Sequence, residues 1–313
     1  MSEKLLEYFN GDEMAANVWK SKYAYKDEKT PEEMHRRLAK EFARVDKEYQ
    51  KTENNKNNLS DYGKEREDLT EEAIYELFKD FKYIVPQGSI MATLGTDKIA
   101  SLSNCMVAES PLDSIASITR TDAELAFYYK RRCGVGTDIS NLRPAGTKTN
   151  NASESTTGAV SFMHRFSNTT REIAMNGRRG ALMLSIDINH PDVLDFIKVK
   201  RDGTSVTGAN ISVRINNEFL KAVENDEDYV LRFPTNCKFN KEEQEAQNIH
   251  DYGKLVSYYD NRYSKKIKAK EYWNELIHSA KNHAEPGLMY WDNILEYDPA
   301  AVYDEYRPTT SNP

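Results

Sequence analysis

Residues 182–188 read LMLSIDI, and this stretch decides the fold class. Its apolar side chains recur at every second position, a period that is typical of a β-strand with one buried face. Residues 210–215, NISVRI, alternate in the same way. Helical patterns lie between or after these strands, at residues 114–131, at 159–176 and in a segment that begins at Pro191. Strands that alternate with helices predict an α/β sheet or barrel.

The part of the chain before this region predicts helices. Thr30, Pro31 and Glu33 have the spacing of an N-cap, a proline at the first helical position and a capping-box acid. Apolar residues then recur at helical spacing, at Met34, Leu38, Phe42 and Val45. We therefore expect a mainly helical domain over residues 1–98 and an α/β domain over residues 99–313.

Composition excludes several classes of protein. The 313 residues include 43 Lys+Arg and 50 Asp+Glu, a net charge of −7, whereas a nucleic-acid-binding scaffold shows a clustered basic surface. No apolar run reaches transmembrane length, and the N-terminus lacks the apolar core of a signal peptide. We expect a cytoplasmic protein that binds neither nucleic acid nor membrane.

The cysteine pattern indicates neither a disulfide framework nor a metal site. Cys105, Cys133 and Cys237 are an odd number and no two have CxxC spacing. Cys105 itself has two readings, a small buried residue in a strand or a functional thiol. The residues alone leave both open.

Two further stretches carry polar groups that suit a ligand. Asp113 and Ser114 can cap a helix, or can hold a nucleotide at the helix N-terminus with the carboxylate on ribose hydroxyls. In residues 131–146, RRCGVGTDISNLRPAG, Gly134 permits a close approach of backbone to a ligand. Arg143 can grip phosphate oxygens, or can be a solvated surface arginine.

A series of separated motifs resembles the large, catalytic subunit of ribonucleotide reductase. In chain order they are SLSNC, LDSI, RRCGVG, LRPAG, TTGAVSFMHRF, NGRRGALM, INHPDVLDFI, AEPGLMYWD and SNP, from about residue 70 to the last residue. The resemblance implies an α/β fold in which an N-terminal helical domain precedes the first half of a ten-stranded α/β barrel.

The final motif, SNP, bears on how the chain works. In the resembled family this segment continues Cys-Gly-Glu, where the cysteine carries the thiyl radical that abstracts the ribose 3′ hydrogen. The resemblance implies that the sequence stops one residue short of it, with Asn312 as the substrate-contacting asparagine. We therefore expect an N-terminal half that is inactive without a C-terminal partner. A split gene, a split intein and a trimmed chain all remain open as the origin of this end.

The same resemblance implies a substrate site. Cys105 matches the cysteine that pairs with one in the complementary half to reduce the substrate, so Cys105 and Asn312 are the catalytic candidates. Gly88 and Ser89 fall where the family binds substrate phosphate. The substrate-binding candidates are completed by Gly134 and Asn210.

An effector site is also implied, where a dNTP or ATP selects which base is reduced. Asp113, Ser114 and Arg143 match this specificity site, with residues 145–157 as its first loop and residues 201–210 as its second. The further effector-binding candidates are Lys148, Asn150 and Arg201. The N-terminus lacks an ATP-cone signature, so we expect no overall-activity switch.

The implied function is the radical reduction of ribonucleotides to deoxyribonucleotides, the activity of a ribonucleoside-diphosphate reductase. A class I enzyme, with a metal-bearing small subunit as radical source, is preferred over a class II enzyme that uses adenosylcobalamin. The resemblance also implies a thioredoxin- or glutaredoxin-type reductant acting through a C-terminal tail, and a homodimer of assembled units. The alternatives are an inert nucleotide-binding regulatory or structural half and a cysteine hydrolase built on Cys105 with His164 or His190.

Overall fold

The structure is a computed structural model that describes residues 2–50, 59–65, 69–149, 152–173, 180–235 and 263–311. It divides into two compact units, Met1–Asn104 and Cys105–Pro313. Among the described residues, no helix is both long and apolar enough to cross a membrane.

The first unit is helical, as predicted. Its helices are α1 (Glu3–Tyr8), α2 (Glu13–Lys22), α3 (Pro31–Gln50), α4 (Asp61–Glu65), α5 (Glu71–Phe78) and α6 (Gly88–Thr93), with a 3-10 turn at Lys79–Phe81. Helix α3 begins at the predicted proline, and Met34 and Leu38 are fully buried against α2 and α5 residues such as Trp19 and Phe78. Phe42 shares the helical spacing of Met34 and Leu38 but is 39% exposed. The smaller Ala39 and Ala43 take the buried positions on that face.

The second unit is built on five parallel strands in the order β1-β2-β3-β4-β7. These are β1 (Cys105–Val107), β2 (Gly134–Asp138), β3 (Leu182–Asp187), β4 (Asn210–Ile215) and β7 (Gly287–Tyr290), while β5 (Asp228–Phe233) and β6 (Tyr263–Lys268) form a separate antiparallel pair. The helices are α7 (Ile115–Lys130), α8 (Ala159–Glu172), α9 (Val193–Lys198), α10 (Asn217–Glu224), α11 (Ala269–His283) and α12 (Trp291–Tyr297), followed by 3-10 turns at Pro299–Val302 and Asp304–Tyr306.

Both faces of β3 are buried, which the alternating sequence did not predict. Leu182, Leu184 and Ile186 belong to the apolar core, as expected, but Met183 and Ser185 on the other face are also buried. Parallel strands are commonly covered on both faces. The apolar periodicity therefore identified the strand but did not show that its other face is also buried. This second face carries the polar residues described below.

The sheet does not close on itself within the described residues, because β1 and β7 are its two ends. A helical unit followed by an open parallel sheet with helices confirms the predicted fold, a helical domain and the first half of an α/β barrel.

Candidate functional site

A cleft of about 460 Å³ lies in the second unit between the start of α7, the segment after β2 and the first turns of α8. Its lining residues are Asp113, Ser114, Ile115, Ile118, Arg143, Thr149, Ser153, Ser155, Thr156, Thr157 and Phe162. Three of the predicted effector-site residues, Asp113, Ser114 and Arg143, therefore meet in one cavity. We call this cavity the 113–162 cleft.

Arg143 is oriented in the cleft by Asp113 and by the backbone. Its Nε lies 2.5 Å from Asp113 Oδ2, its backbone N–H donates to Asp113 Oδ1 at 3.1 Å, and its Nη1 donates to the Lys148 carbonyl at 3.0 Å. The Asp113 and Arg143 side chains remain 31% and 23% exposed. The guanidinium is thus held in position while part of it stays accessible to an anion.

Ser114 caps α7, which confirms that it is placed at a helix N-terminus. Its hydroxyl accepts the N–H of Ser117 at 3.2 Å, and the first turn of this 16-residue helix carries no acidic residue. The positive end of the helix dipole favours anions there. The helix start and Arg143 together give the cleft two groups that attract phosphate.

The remaining wall of the cleft comes from the segment between Ala145 and Gly158. Its described parts, residues 145–149 and 152–158, pair with each other: the Gly146 N–H donates to the Thr156 carbonyl at 2.9 Å and the Thr156 N–H to the Thr147 carbonyl at 2.8 Å. Its side chains in the cleft are hydroxyls, whereas Ile115, Ile118 and Phe162 supply apolar surface. Lys148 is exposed beside the cleft, and Asn150 lies outside the described residues.

The cleft thus combines charge, hydroxyls and an apolar wall. Arginine and helix amides suit phosphates, a carboxylate suits sugar hydroxyls, and the apolar side chains suit the face of a base. The arrangement fits a nucleotide.

Arg201 does not line this cleft, contrary to the grouping expected from sequence. Its guanidinium donates to Ser279 Oγ at 2.8 Å and to Glu275 Oε2 at 2.5 Å, both on α11. The acidic Glu275 side chain attracts it there. An effector role for Arg201 stays a prediction.

The predicted substrate-site residues are distributed over several elements. Cys105 is half-buried and pairs in register with the buried Gly134, so these two lie side by side on adjacent strands. Asn210 is exposed at the start of β4, opposite Met183. Asn312 lies outside the described residues.

Gly88 and Ser89 begin α6 in the first unit. Ser89 is fully buried, and its N–H donates to Asn104 Oδ1 at 3.0 Å. A Cβ added at Gly88 would meet only the Tyr23 ring, at 3.6 Å, so packing does not require a glycine. The roles of both residues in phosphate binding stay predictions.

The second face of the sheet carries a buried polar group that sequence reasoning missed. We call Asp138, Ser185, Asp187, Arg214 and Thr310 the inner polar cluster. Arg214 lies 3.2 Å from Asp138 Oδ2 and 3.3 Å from Asp187 Oδ2. Ser185 Oγ donates to Asp138 at 2.7 Å and lies 2.6 Å from Thr310 Oγ1. The sequence did contain a signal for this cluster, because polar residues fall between the apolar residues of β3 and β4.

This cluster anchors the segment that precedes Asn312. Arg214 Nη1 donates to the Thr309 carbonyl at 2.7 Å, and Thr310 is 4% exposed. Burial raises the pKa of Asp187, while the neighbouring Arg214 opposes that shift. The residues just before the SNP motif are therefore held against β3 and β4.

His190 is unsuited to act as the base of a cysteine hydrolase. It is fully buried, its Nε2 lies 2.7 Å from the Leu142 carbonyl, and its Nδ1 accepts the N–H of Asp192 at 3.0 Å. Burial lowers the pKa of His190 to about 4. His164 is exposed on α8.

Among the described residues, no cluster of His, Cys, Asp and Glu could hold a metal ion.

Two family models match most of the chain. The model "Ribonucleotide reductase, all-alpha domain" matches residues 9–98, and "Ribonucleotide reductase, barrel domain" matches residues 103–313. The two matches correspond to the helical unit and the α/β unit.

Curated relatives are reductases of more than one kind. A "Vitamin B12-dependent ribonucleoside-diphosphate reductase" of Thermoplasma acidophilum is 30% identical over 94% of this chain and 41% of the relative. A protein of the same description from Mycobacterium tuberculosis is 28% identical over 71% of this chain and 29% of the relative. A "Ribonucleoside-diphosphate reductase large chain" of Cryptosporidium parvum is 25% identical over 70% of this chain and 27% of the relative.

This chain therefore spans less than half the length of these relatives. The helical unit, the parallel sheet and the family matches all agree with the motif series, and the chain belongs to the ribonucleotide reductase large-subunit family.

Proposed function

We propose that this chain is the N-terminal part of a ribonucleoside-diphosphate reductase catalytic subunit, which reduces ribonucleotides to deoxyribonucleotides for DNA synthesis. The 113–162 cleft carries the proposal, because in a chain of this family it joins an arginine, a helix N-terminus and a carboxylate in the arrangement that suits a nucleotide. The chain matches at most 41% of the three relatives compared above. The rest of the barrel would come from sequence outside these 313 residues.

The cleft is proposed as the specificity site. Arg143 and the start of α7 would bind effector phosphates, and Asp113 would accept hydrogen bonds from the sugar. Asp113→Ala should abolish the dependence of substrate choice on dNTP while sparing basal turnover. A variant with a normal effector response would remove this role from Asp113.

Cys105 is proposed as one of two reducing thiols. During turnover its thiol and a cysteine of the complementary half are oxidised to a disulfide, the ribose C2′ is reduced, and the 2′-hydroxyl leaves as water. The substrate would also contact Gly88, Ser89, Gly134, Asn210 and Asn312. The position of Cys105 beside Gly134 supports this role, since a half-buried thiol on a strand is partly accessible.

The radical source is proposed to lie outside the described residues. The relatives that are 28–30% identical are vitamin B12-dependent, which supports adenosylcobalamin over the metal-bearing small subunit that we preferred from sequence. We assign no residue of this chain to either source. A thioredoxin- or glutaredoxin-type reductant, a homodimer of assembled units and a cytoplasmic location belong to the same proposal.

Reconstitution tests the proposal directly. The chain is mixed with a polypeptide that begins Cys-Gly-Glu and supplies the second barrel half, and conversion of CDP to dCDP is measured with adenosylcobalamin or with a small subunit. We expect turnover with one source, and none when either half is omitted. Absence of turnover with both sources, with dNTP binding retained, would instead support the inert regulatory half.

A further inference from the structure

Three motifs of the series meet behind the 113–162 cleft, at a buried carboxylate. Asp192 is 1% exposed and follows His190 in the INHPD motif. Its two oxygens both lie 3.1 Å from the backbone N of Ala145, and Oδ2 also accepts the N–H of Ala159 at 3.1 Å. Ala145 and Ala159 stand at the two ends of the loop that lines the cleft, so one carboxylate joins both ends.

Gly158 allows this close approach. Its φ is +85°, and a Cβ there would lie 2.6 Å from both Ala145 N and Asp192 Oδ2. A side chain is therefore excluded both by the backbone conformation and by lack of space. The glycine of the TTGAV motif is explained by this contact.

Asp192 also replaces the missing cap of α8. Gly158 occupies the N-cap position and has no side chain to accept a hydrogen bond, and Ala159 is the first helical residue. A carboxylate at a helix N-terminus satisfies a backbone N–H and interacts favourably with the helix dipole. Helix α8 is thereby tied to the LRPAG segment.

His190 extends the arrangement to Arg143. Its Nδ1 accepts the Asp192 N–H, so its Nε2 carries the hydrogen and donates to the carbonyl of Leu142. Leu142 directly precedes Arg143, whose guanidinium faces the cleft. The histidine thus fixes the backbone next to the phosphate-binding candidate.

Burying the charged carboxylate of Asp192 costs free energy. Burial raises the pKa of Asp192 to about 6, although the two N–H donors act in the opposite direction. The charge of Asp192 is therefore supported by the two backbone N–H donors and, more weakly, by Lys265. A neutral cap would stabilise α8 without this cost.

We infer that Asp192, together with His190, is a positioning pair that closes the base of the 145–157 loop and thereby sets the nucleotide affinity of the 113–162 cleft. The nucleotide as ligand rests on the proposed function. Neither residue lines the cleft, so the effect is exerted through Arg143 and the loop. When the base opens, the population of binding-competent loop falls and the apparent affinity falls with it.

The test compares Asp192→Ala and Asp192→Asn with Asp195→Asn. Asp195 is an exposed acid on α9, three residues from Asp192, and among the described residues no hydrogen bond joins it to the 145–157 loop. Affinity of the 313-residue chain for dTTP, dGTP and dATP is measured by titration calorimetry. Amide hydrogen exchange of peptides within 143–160 is measured on the same proteins without nucleotide.

We expect Asp192→Ala to weaken binding by about tenfold or more, since backbone bonds to a charged acceptor are lost. Asp192→Asn keeps one acceptor oxygen and should lie between wild type and Asp192→Ala, while Asp195→Asn should bind like wild type. Faster exchange should be confined to 143–160. That local change distinguishes positioning from a general loss of structure.

Two results overturn the inference. Wild-type affinity in Asp192→Ala contradicts it, and so does faster exchange spread over the whole second unit in both Asp192 variants. A wild-type chain that binds none of the three nucleotides contradicts the proposed function instead, and the exchange data then still decide whether Asp192 holds the loop.

Discussion

Arg143 and Arg214 each pair with aspartate in the second unit, but their surroundings differ. Arg143 and its partner Asp113 are 23% and 31% exposed and border an open cleft. Arg214 is 10% exposed, and it lies between Asp138 and Asp187, which are 4% and 17% exposed. One arginine keeps an accessible side, and the other is enclosed by two carboxylates and a chain segment.

This difference separates recognition from architecture. A partly exposed guanidinium can exchange part of its hydration for ligand phosphate, so its removal should cost binding and little stability. Removal of an enclosed arginine leaves two buried carboxylates without compensation, which should cost stability. We therefore expect replacement of Arg143 to lower ligand affinity, and replacement of Arg214 to lower the free energy of unfolding.

Cys105→Ser should have the largest effect and should leave both arginine sites intact. Serine cannot form the disulfide that supplies electrons, so CDP reduction by the reconstituted assembly should fall by at least about 1,000-fold. Binding of dTTP by the same variant should match wild type. Unaltered turnover would remove Cys105 from the chemistry.

Arg214→Ala should have the next largest effect, on stability. We expect the free energy of unfolding of the second unit to fall by about 3–5 kcal/mol, because Asp138 and Asp187 lose their compensating charge. Urea unfolding measures this change. Arg120 is the matched control, since its pair with Glu124 is 75% and 33% exposed and Arg120→Ala should cost about 1 kcal/mol or less. Equal costs for the two variants would contradict the comparison.

His35 extends the comparison to a buried group that forms no ion pair among the described residues. It is fully buried beside Phe78 and Phe81, and among the described residues neither ring nitrogen has a hydrogen bond. Burial lowers the pKa of His35 from 6.5 to about 4. The unfolded chain then binds a proton that the folded chain does not, so stability is lost as the pH falls from 6.5 towards 4, by roughly 3 kcal/mol.

The stability of the second unit should change less over the same pH range. His190 acts in the same direction as His35, but the pKa of Asp192 is raised to about 6, so its protonation favours the folded state and offsets His190. Hydrogen exchange of α3 and of β3 peptides across this pH range measures both units. His35→Leu should flatten the α3 profile, and an unchanged profile would exclude His35 as the cause.

Arg143→Ala should have the smallest of these effects. Loss of a charged donor to phosphate should weaken dTTP binding by about 10- to 100-fold, with the urea midpoint close to wild type. Arg120 again serves as control, because it lies on α7 but does not line the cleft. Loss of stability with full affinity would reverse the roles of Arg143 and Arg214.

Local patterns predicted the elements and part of the cleft. Alternation identified β3 and β4, the proline at the first helical position identified the start of α3, and Ser114 caps α7. Asp113, Ser114 and Arg143 were grouped by resemblance, and the structure brings them into one cavity.

Long-range partners were not predictable from these patterns. Arg214 contacts Asp138 and the Thr309 carbonyl, and Asp192 contacts Ala145 and Ala159, across many intervening residues. A period of two shows which strand positions are polar but not which polar groups meet. The contact of Arg201 with Glu275 on α11 was not predictable for the same reason, and its effector role stays a prediction.

Photolabelling with 8-azido-dATP tests the central claim most directly, namely that the 113–162 cleft binds the effector nucleotide. The chain is irradiated with the probe, digested, and the labelled peptides are identified by mass spectrometry. We predict label in peptides from residues 112–165, competition by unlabelled dATP, and weak labelling of Arg143→Ala. Label confined to other regions, or label that unlabelled dATP does not reduce, would contradict the account.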